Sequence, residues 1–287
     1  MTGDNTLTEH ARDVAQGRRF EFGKNWTRFL ASLNDERLES ARNSLRTMLS
    51  TEALAGKRFL DAGSGSGIFS LSARCLDAEV FSFDFDPQSV ACTRELRNRY
   101  FPNDPMWTVA EASVLDPAYL SKLGNFDVVY SWGVLHHTGA MWAALENMTP
   151  LVKNGGLLFI SIYNDQGNKS LRWLALKKFY NRSPKPVQLL LSGGVCVQLW
   201  WRSSLKDLLR LRPFATWRDA SKHRGMSPWR DVVDWVGGYP FEVAKPDEIF
   251  NFYRDRGFTL LRMNTHAGAL GCNEFLFRKN EAPDPSR

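Results

Sequence analysis

The stretch FLDAGSGSGIFSL, Phe59 to Leu71, sets a carboxylate, three alternate glycines and an apolar run in immediate succession. Read as a strand, a glycine turn and the start of a helix, it matches the ligand-binding edge of an open α/β sheet, where backbone amides collect at the carboxyl ends of the strands. A phosphate-binding P-loop would close with Gly-Lys-Ser/Thr, and the residues here are GSGIF. A dinucleotide fingerprint needs GxGxxG; Gly63 and Gly65 supply the first two glycines, but the third position falls on Ile68, with Gly67 one residue early. Asp61 weighs further against phosphate, because a carboxylate at the mouth of the loop repels pyrophosphate and attracts a ligand carrying an ammonium and a sulfonium. The stretch therefore predicts a site for a positively charged nucleoside.

Working outward, short β-rich apolar runs alternate with helix-like segments from Arg58 to Tyr163, the signature of βαβ units and a parallel sheet. Strands are predicted at Arg58–Gly63, Val80–Phe85, Trp107–Ala112, Phe126–Trp132 and Gly156–Tyr163, with helices after Gly67, after Pro87 and from Met141, and a turn at KNGG, Lys153–Gly156. Each strand is almost continuously apolar, as expected when helices cover both faces of the sheet. Residues 1–56 read as a helical cap, in which Leu38, Ala41, Leu45 and Met48 share one face, preceded by the aromatic segment Phe20–Leu30. Residues 57–163 form the ligand-binding core, 164–236 a basic, Trp-rich helical insertion, 237–280 the C-terminal part of the sheet, and 281–287 a flexible tail. The last two runs, Phe258–Thr265 and Cys272–Lys279, suit an antiparallel pair at the sheet edge. The expected fold is a Rossmann-like, doubly wound, mostly parallel seven-stranded sheet with an antiparallel C-terminal edge strand and a helical lid.

The chain of 287 residues, 43% apolar, can bury its core without disulfides. Cys75, Cys92, Cys196 and Cys272 are scattered with no CxxC or His-Cys spacing, so neither a zinc site nor a disulfide framework is expected, and a reducing cytoplasm is the default location. No apolar leader and no run of roughly 18 apolar residues is found. The net charge is +6, with acids and bases interleaved through most of the chain, and no NPPY-type tetrapeptide follows the fourth strand; no nucleic-acid partner is expected.

The motif D/E-x-G-x-G-x-G is filled in full by DAGSGSG, and here the sequence resembles the class I S-adenosylmethionine-dependent methyltransferases. The resemblance extends from about Phe59 to Tyr163, and PFEVAKPDEIFNFYRDRGF, Pro240–Phe258, is similar to the KPxEL region of the ubiquinone-biosynthesis O-methyltransferases. It implies S-adenosylmethionine as cofactor, with contacts from Asp61, Gly63, Ser64 and Gly65 in the first loop. After the second strand it implies Asp84, as acceptor of both ribose hydroxyls, and Phe85; after the third, Ser113 and Val114 near adenine, with Asp116 close by. Ser131 and Trp132 of YSWGVLHH would lie along the methionine part. Asp84 and Asp86 are read as a pair in which Asp86 caps the following helix and Asp84 faces ligand. Ser113 fits a turn equally well.

Methyl transfer is an in-line displacement, so the protein chiefly holds the acceptor at near-attack distance and excludes water. His136 and His137 follow the fourth strand, in an arrangement similar to the W-x-L-H base of plant-type O-methyltransferases, and a neutral imidazole can take a hydroxyl proton; the alternative is that both are structural. The ubiquinone-type enzymes carry VLEH with a glutamate linked to a divalent metal; that position is His136 here, so no metal is expected. Asp165 is a third candidate catalytic group, and Tyr163, Asn164, Trp26 and Tyr239 are candidate acceptor contacts. Within the insertion, Pro186–Trp201 is flanked by Lys177, Lys178, Arg182, Lys185, Arg202 and Lys206. It reads either as a lid helix pair joined at Gly193-Gly194, or as an interfacial element that rests on anionic lipid at the inner face of the membrane. The expected activity is methyl transfer to a small molecule, at the oxygen of a sugar, phenol or lipid-linked precursor; N-methylation and a catalytically silent cofactor-binding protein are the alternatives. The sequence does not fix the oligomeric state.

Overall fold

The computed structural model describes residues 3–23, 26, 30, 33–210, 212, 216 and 228–281. The predicted tail lies outside the described residues beyond 281. In chain order the elements are helices α1 (Gly3–Ala15) and α2 (Asp35–Leu49), strand β1 (Arg58–Ala62), α3 (Ile68–Cys75), β2 (Glu79–Asp84), α4 (Pro87–Tyr100), β3 (Trp107–Glu111), α5 (Pro117–Leu120), β4 (Phe126–Trp132), α6 (Met141–Met148) and β5 (Val152–Tyr163). Then come α7 (Asn168–Arg182), α8 (Lys185–Leu209), α9 (Pro228–Gly237), α10 (Pro246–Arg254), β6 (Phe258–Asn264) and β7 (Cys272–Lys279).

The sheet order is β3-β2-β1-β4-β5-β7-β6. Strands β1 to β5 pair in parallel, and β7 runs antiparallel to both β5 and β6. The C-terminal pair thus closes one edge, with β7 inserted inside β6. Chain order reverses on either side of the β1/β4 pair, which makes this junction the switch point where an open α/β sheet binds its ligand.

Side chains alternate between the two faces of the strands. Leu60, Val129, Leu158 and Ile160 pack with Met141, Leu145, Ile249 and Tyr253 of α6 and α10. Phe59, Val128, Tyr130 and Phe159 pack with Leu45, Leu71 and Leu96 of α2, α3 and α4. Both faces being covered, the central strands are mostly apolar, and the polar residues they carry, such as Asp61, Ser82 and Ser131, are hydrogen-bonded inside. A third cluster, separate from these two, joins α7, α8 and α9: Tyr180, Val195, Val232 and Val236 are buried, with Phe20 of the N-terminal segment, Trp173 and Trp235 packed on them.

Two local expectations are corrected. KNGG is not a turn ahead of the fifth strand but part of it: β5 begins at Val152, Gly155 takes φ +74, and the pairing with β4 shifts register between Phe126 and Val128. Gly193-Gly194 is no joint either, since α8 is one helix of 25 residues through it. A glycine in a helix interior costs only about 1 kcal/mol, less than the packing of Val195 and its neighbours returns. The helix pair in the insertion is instead α7 and α8, joined through Ser183 and Pro184 and packed in one cluster.

Candidate active site

The glycine loop is fixed by its own backbone. The amides of Gly63 and Ser64 donate to the carbonyl of Phe83 at 2.8 and 3.0 Å, Gly67 donates to Ser64 at 2.8 Å, and Gly65 donates to the Asp84 carboxylate at 2.9 Å. Four amides that would face the anion in a phosphate cradle are therefore spent inside the protein. Gly63 sits at φ +86, and a Cβ there would lie 2.4 Å from the Val134 side chain, so the position admits only glycine. Trp26 lies against Gly65, 3.2 Å from where a Cβ would be. That places it over the glycine loop and not beside the histidines.

Asp61 is not at an open mouth, as the sequence suggested; it is buried beneath the loop. A chain of hydrogen bonds from three elements reaches it: Trp107 Nε1 donates to Ser82 Oγ (2.9 Å), Ser82 to Ser70 Oγ (2.7 Å), and Ser70 to Asp61 Oδ2 (2.5 Å). Burial, followed by repulsion from Asp84, raises the Asp61 pKa to about 7. Asp84, at the end of β2, accepts from the amides of Gly65 and Asp86, both at 2.9 Å, and burial raises its pKa to about 6. Asp86 is the N-cap of α4, its Oδ1 accepting from the Gln88 amide at 2.9 Å. Asp86 is thus the cap, and Asp84 accepts from the glycine loop.

The remaining cofactor candidates fall into three groups. Ser64 Oγ pairs with Thr93 Oγ1 at 2.8 Å, and Ser131 Oγ donates to the carbonyl of Ala62 at 2.8 Å, so both hydroxyls are used structurally. Ser113 accepts from the Leu115 amide at 3.1 Å, which is the turn geometry, and Asp116 caps α5 through the Tyr119 amide instead of reaching toward a base. Val114 is buried, whereas Trp132 is exposed with its indole on Glu274 at 2.9 Å.

Phe85 carries a contact that the sequence did not reveal. Arg19 lies over its ring, 4.8 Å from the centroid, and His10 packs edge-on at 5.6 Å. Arg19 also donates to the carbonyl of His137 at 3.1 Å, and the Gly23 amide donates to Asp86 at 2.8 Å. The N-terminal segment thus straps the ends of β2 and β4 together. Arg19, one of an adjacent pair with Arg18 amid interleaved charges, gives no sequence signal for this.

Beyond β4, His136 and His137 occupy a short 3₁₀ turn at Leu135–His137. His137 donates its Nδ1–H to the carbonyl of Pro240 at 2.6 Å, and its pKa is pushed down to about 3 by burial. His136 is 1% exposed, lies 3.9 Å centroid to centroid from Tyr163, and neither ring nitrogen makes a well-formed hydrogen bond among the described residues. Burial, then proximity to the protonatable His137 and Lys177, holds its pKa well below the ordinary value. It is neutral at any physiological pH but a weak proton acceptor.

Lys177 is the largest departure from expectation. Read in sequence as part of a basic flank, it is fully buried on the inner face of α7, where Trp173, Lys177 and Tyr180 follow helical spacing. Its ammonium donates to the carbonyl of Trp235 and lies 4.3 Å from the Trp235 ring and 4.8 Å from the Phe241 ring. Burial lowers its pKa to about 7 against the pull of Asp234. Tyr163 stands between the groups, 5.2 Å from Trp235 and 5.3 Å from Phe241.

The other acceptor-side candidates are more structural. Asn164 donates to the carbonyl of Ala269 at 2.9 Å and accepts from Asn273 at 3.0 Å, tying β5 to the loop ahead of β7. Asp165 accepts from the Gly167 amide at 2.8 Å in a turn that leads into α7. Tyr239 lies in the loop after α9, its carbonyl accepting from the Phe20 amide at 2.8 Å.

Comparison with known proteins follows the same geometry. A family profile described as "Methyltransferase domain" matches residues 33–223. A ubiquinone biosynthesis O-methyltransferase of Xanthomonas euvesicatoria is 31% identical over 137 residues, covering 47% of this chain. The match spans about half, 52%, of that relative's length. Among solved structures, the N-methyltransferase NodS from Bradyrhizobium japonicum, crystallised with S-adenosyl-L-homocysteine, has a TM-score of 0.50 at 16% identity, covering 91% of this chain and all of its own. The [4+2]-cyclase SpnF has a TM-score of 0.51 at 11% identity, covering 84% of this chain and 80% of its own. At these identities the structures share the fold alone.

Proposed function

The chain belongs to the methyltransferase domain family, and from that premise we propose that it transfers the methyl group of S-adenosylmethionine to an oxygen of a small-molecule acceptor. The observation that carries the reading is the glycine loop: four of its amides are used internally, Asp84 stands beside it at the end of β2, and Asp61 lies buried beneath it, an arrangement that disfavours phosphate. The donor set fits the cofactor, with a carboxylate at the end of β2 for hydroxyls, negative charge beneath a loop for a cationic ligand, and glycines that let a ligand approach backbone. When bound, S-adenosylmethionine supplies an electrophilic methyl on a sulfonium. The oxygen preference is supported by the similarity to a ubiquinone biosynthesis O-methyltransferase.

On the acceptor side, His136, His137 and Tyr163 form a dry shelf at the ends of β4 and β5, with Lys177 reaching toward it from the insertion. His137 is held by Pro240 and serves position. Of the groups present, Lys177 has the proton affinity a general base needs near neutrality, about 7, whereas His136 is too weak. The Lys177 amine is therefore assigned the acceptor's proton, and His136 the packing surface that excludes water. Incubation with methyl-labelled S-adenosylmethionine and a small-molecule extract should transfer label to a low-molecular-weight product; label in nitrogen would revise the acceptor atom, and no transfer from a cofactor that binds would leave a binding protein.

The buried carboxyls make a pH prediction with a definite sign. Both are raised above their ordinary value of 3.8, so the free protein takes up protons relative to the unfolded chain between about 4 and 7, and their cost to stability is relieved as pH falls. A cationic ligand favours the ionised forms, so affinity for S-adenosylmethionine should rise with pH through about 6 to 7 and then level off. Titration calorimetry in buffers of different ionisation enthalpy should detect proton release on binding near pH 6.5; pH-independent binding would remove Asp61 and Asp84 from the site.

A further inference from the structure

Both long helices of the insertion carry apolar side chains on their outer faces as well as in the cluster beneath them. On α7 the inward positions are Ser170, Trp173, Lys177, Tyr180 and Asn181, while Leu171 and Phe179 are 64% and 58% exposed. On α8 the buried positions include Ser192 and Asp207, while Leu190, Val197, Trp201, Leu205 and Leu208 project outward at helical spacing, Leu190 at 75% exposure and Val197 at 66%. Ten of the sixteen exposed large apolar side chains among the described residues lie on these two helices. Scattered exposed leucines need no explanation, but a stripe of them opposite a face holding serine and aspartate does.

The charge around that stripe is one-sided. Between residues 168 and 210 there are nine lysines and arginines and one acid, Asp207, a surplus larger than the +6 of the whole chain. Eight of the nine cations, all but Lys177, are exposed. Asp207 is buried, accepts from Thr216 at 2.8 and 2.7 Å and feels the charge of Arg210, so among the described residues of the two helices no exposed anion accompanies the other cations. The cations Lys178, Arg182, Lys185, Arg202 and Lys206 border the apolar stripe, and Arg202 lies over Trp201, 5.4 Å from the ring centroid. No helix among the described residues is long and apolar enough to cross a membrane.

We propose that the outer face of α7 and α8 is a docking surface for the headgroup region of an anionic lipid bilayer, on which α8 lies flat. Apolar side chains enter the acyl boundary and the bordering cations meet the negative surface, the combination that holds a peripheral amphipathic helix. A nucleic-acid partner would match the charge but leave the leucines and Val197 in water, and a second copy would bring cations against cations. The surface is separate from the glycine loop, so the inference stands or falls apart from methyl transfer.

The test is cosedimentation of the full chain with phosphatidylcholine vesicles, with and without about one-third phosphatidylglycerol. Binding should be at least tenfold stronger on the anionic vesicles and should fall as salt rises, because screening shortens the reach of the cations. Leu190→Glu with Val197→Glu changes only exposed positions and should abolish binding while leaving the melting temperature unchanged. Arg202→Glu with Lys206→Glu should weaken it and flatten the salt dependence. The proposal is overturned by absence of sedimentation at low salt or by binding that survives the leucine and valine changes. It is equally overturned by a dimer that those changes dissociate in a protein that ignores vesicles, or by retention on bulk RNA in place of lipid.

Discussion

Replacing Asp84 by alanine should weaken S-adenosylmethionine binding by on the order of a hundredfold or more. Two ligand hydroxyls would lose a charged acceptor, at about 1.5 to 3 kcal/mol each, and the Gly65 and Asp86 amides would lose the carboxylate that now shapes the loop. Gly63→Val should have an effect at least as large by a different route. Its side chain would have to occupy the space of Val134, at a φ of +86 that valine does not tolerate. Titration calorimetry on variants whose circular dichroism matches the wild type separates lost binding from lost folding. Asp84→Ala that folds and binds as the wild type does would refute the ribose assignment, and with it the main support for the proposed cofactor site.

Lys177→Met is expected to lower kcat by about a hundredfold or more, the usual scale for a lost general base, with cofactor affinity unchanged. The wild-type rate should rise with pH through about 7 as the amine loses its proton, and that limb should be absent in the variant. Stability should move the opposite way. Because the folded-state pKa lies below lysine's ordinary 10.5, burying the charged form is costly below about 7, and the cost fades as pH rises toward 10.5. Lys177→Met should therefore melt at a higher temperature than wild type, most clearly below pH 7, with the two converging in alkali. A variant that gains stability yet keeps wild-type kcat with the same acid limb would show that Lys177 is a structural burden, and the proton would have to leave by another group.

How far the sequence led can be judged residue by residue. The strand runs were legible because both faces of the sheet are covered, which forces largely apolar stretches such as Val128–Tyr130 in Phe126–Trp132 onto the chain. Asp84 and Asp86 could be told apart because Asp-Pro ahead of a helix is a local signal, and caps are decided locally. Lys177 could not. A lysine among other lysines looks solvated, and only the packing of α7 on α9, set by residues some fifty positions away, turns it inward. Its spacing from Trp173 and Tyr180 was the one available clue. Asp61 was misplaced for a related reason: the loop motif fixes its position along the chain but not its depth, which depends on Ser70, Ser82 and Trp107 from three other elements. The continuity of α8 through Gly193-Gly194 was likewise a tertiary outcome, since intrinsic propensity argued for a break.

The internal bonding of the glycine loop bears on selection among metabolites. Adenosine is shared by many cellular compounds, most of which continue from the ribose into a chain of phosphates, and a slot shaped for adenosine alone would be crowded with them. Gly63, Ser64, Gly65 and Gly67 have already committed their amides to Phe83, Ser64 and Asp84, so a polyphosphate arriving here finds those four donors taken. It also comes up against Asp84 at the end of β2, with Asp61 buried beneath the loop, and would favour the protonated form of each. If the loop is the cofactor site, discrimination against nucleotides would then begin in the free protein, before any ligand is bound.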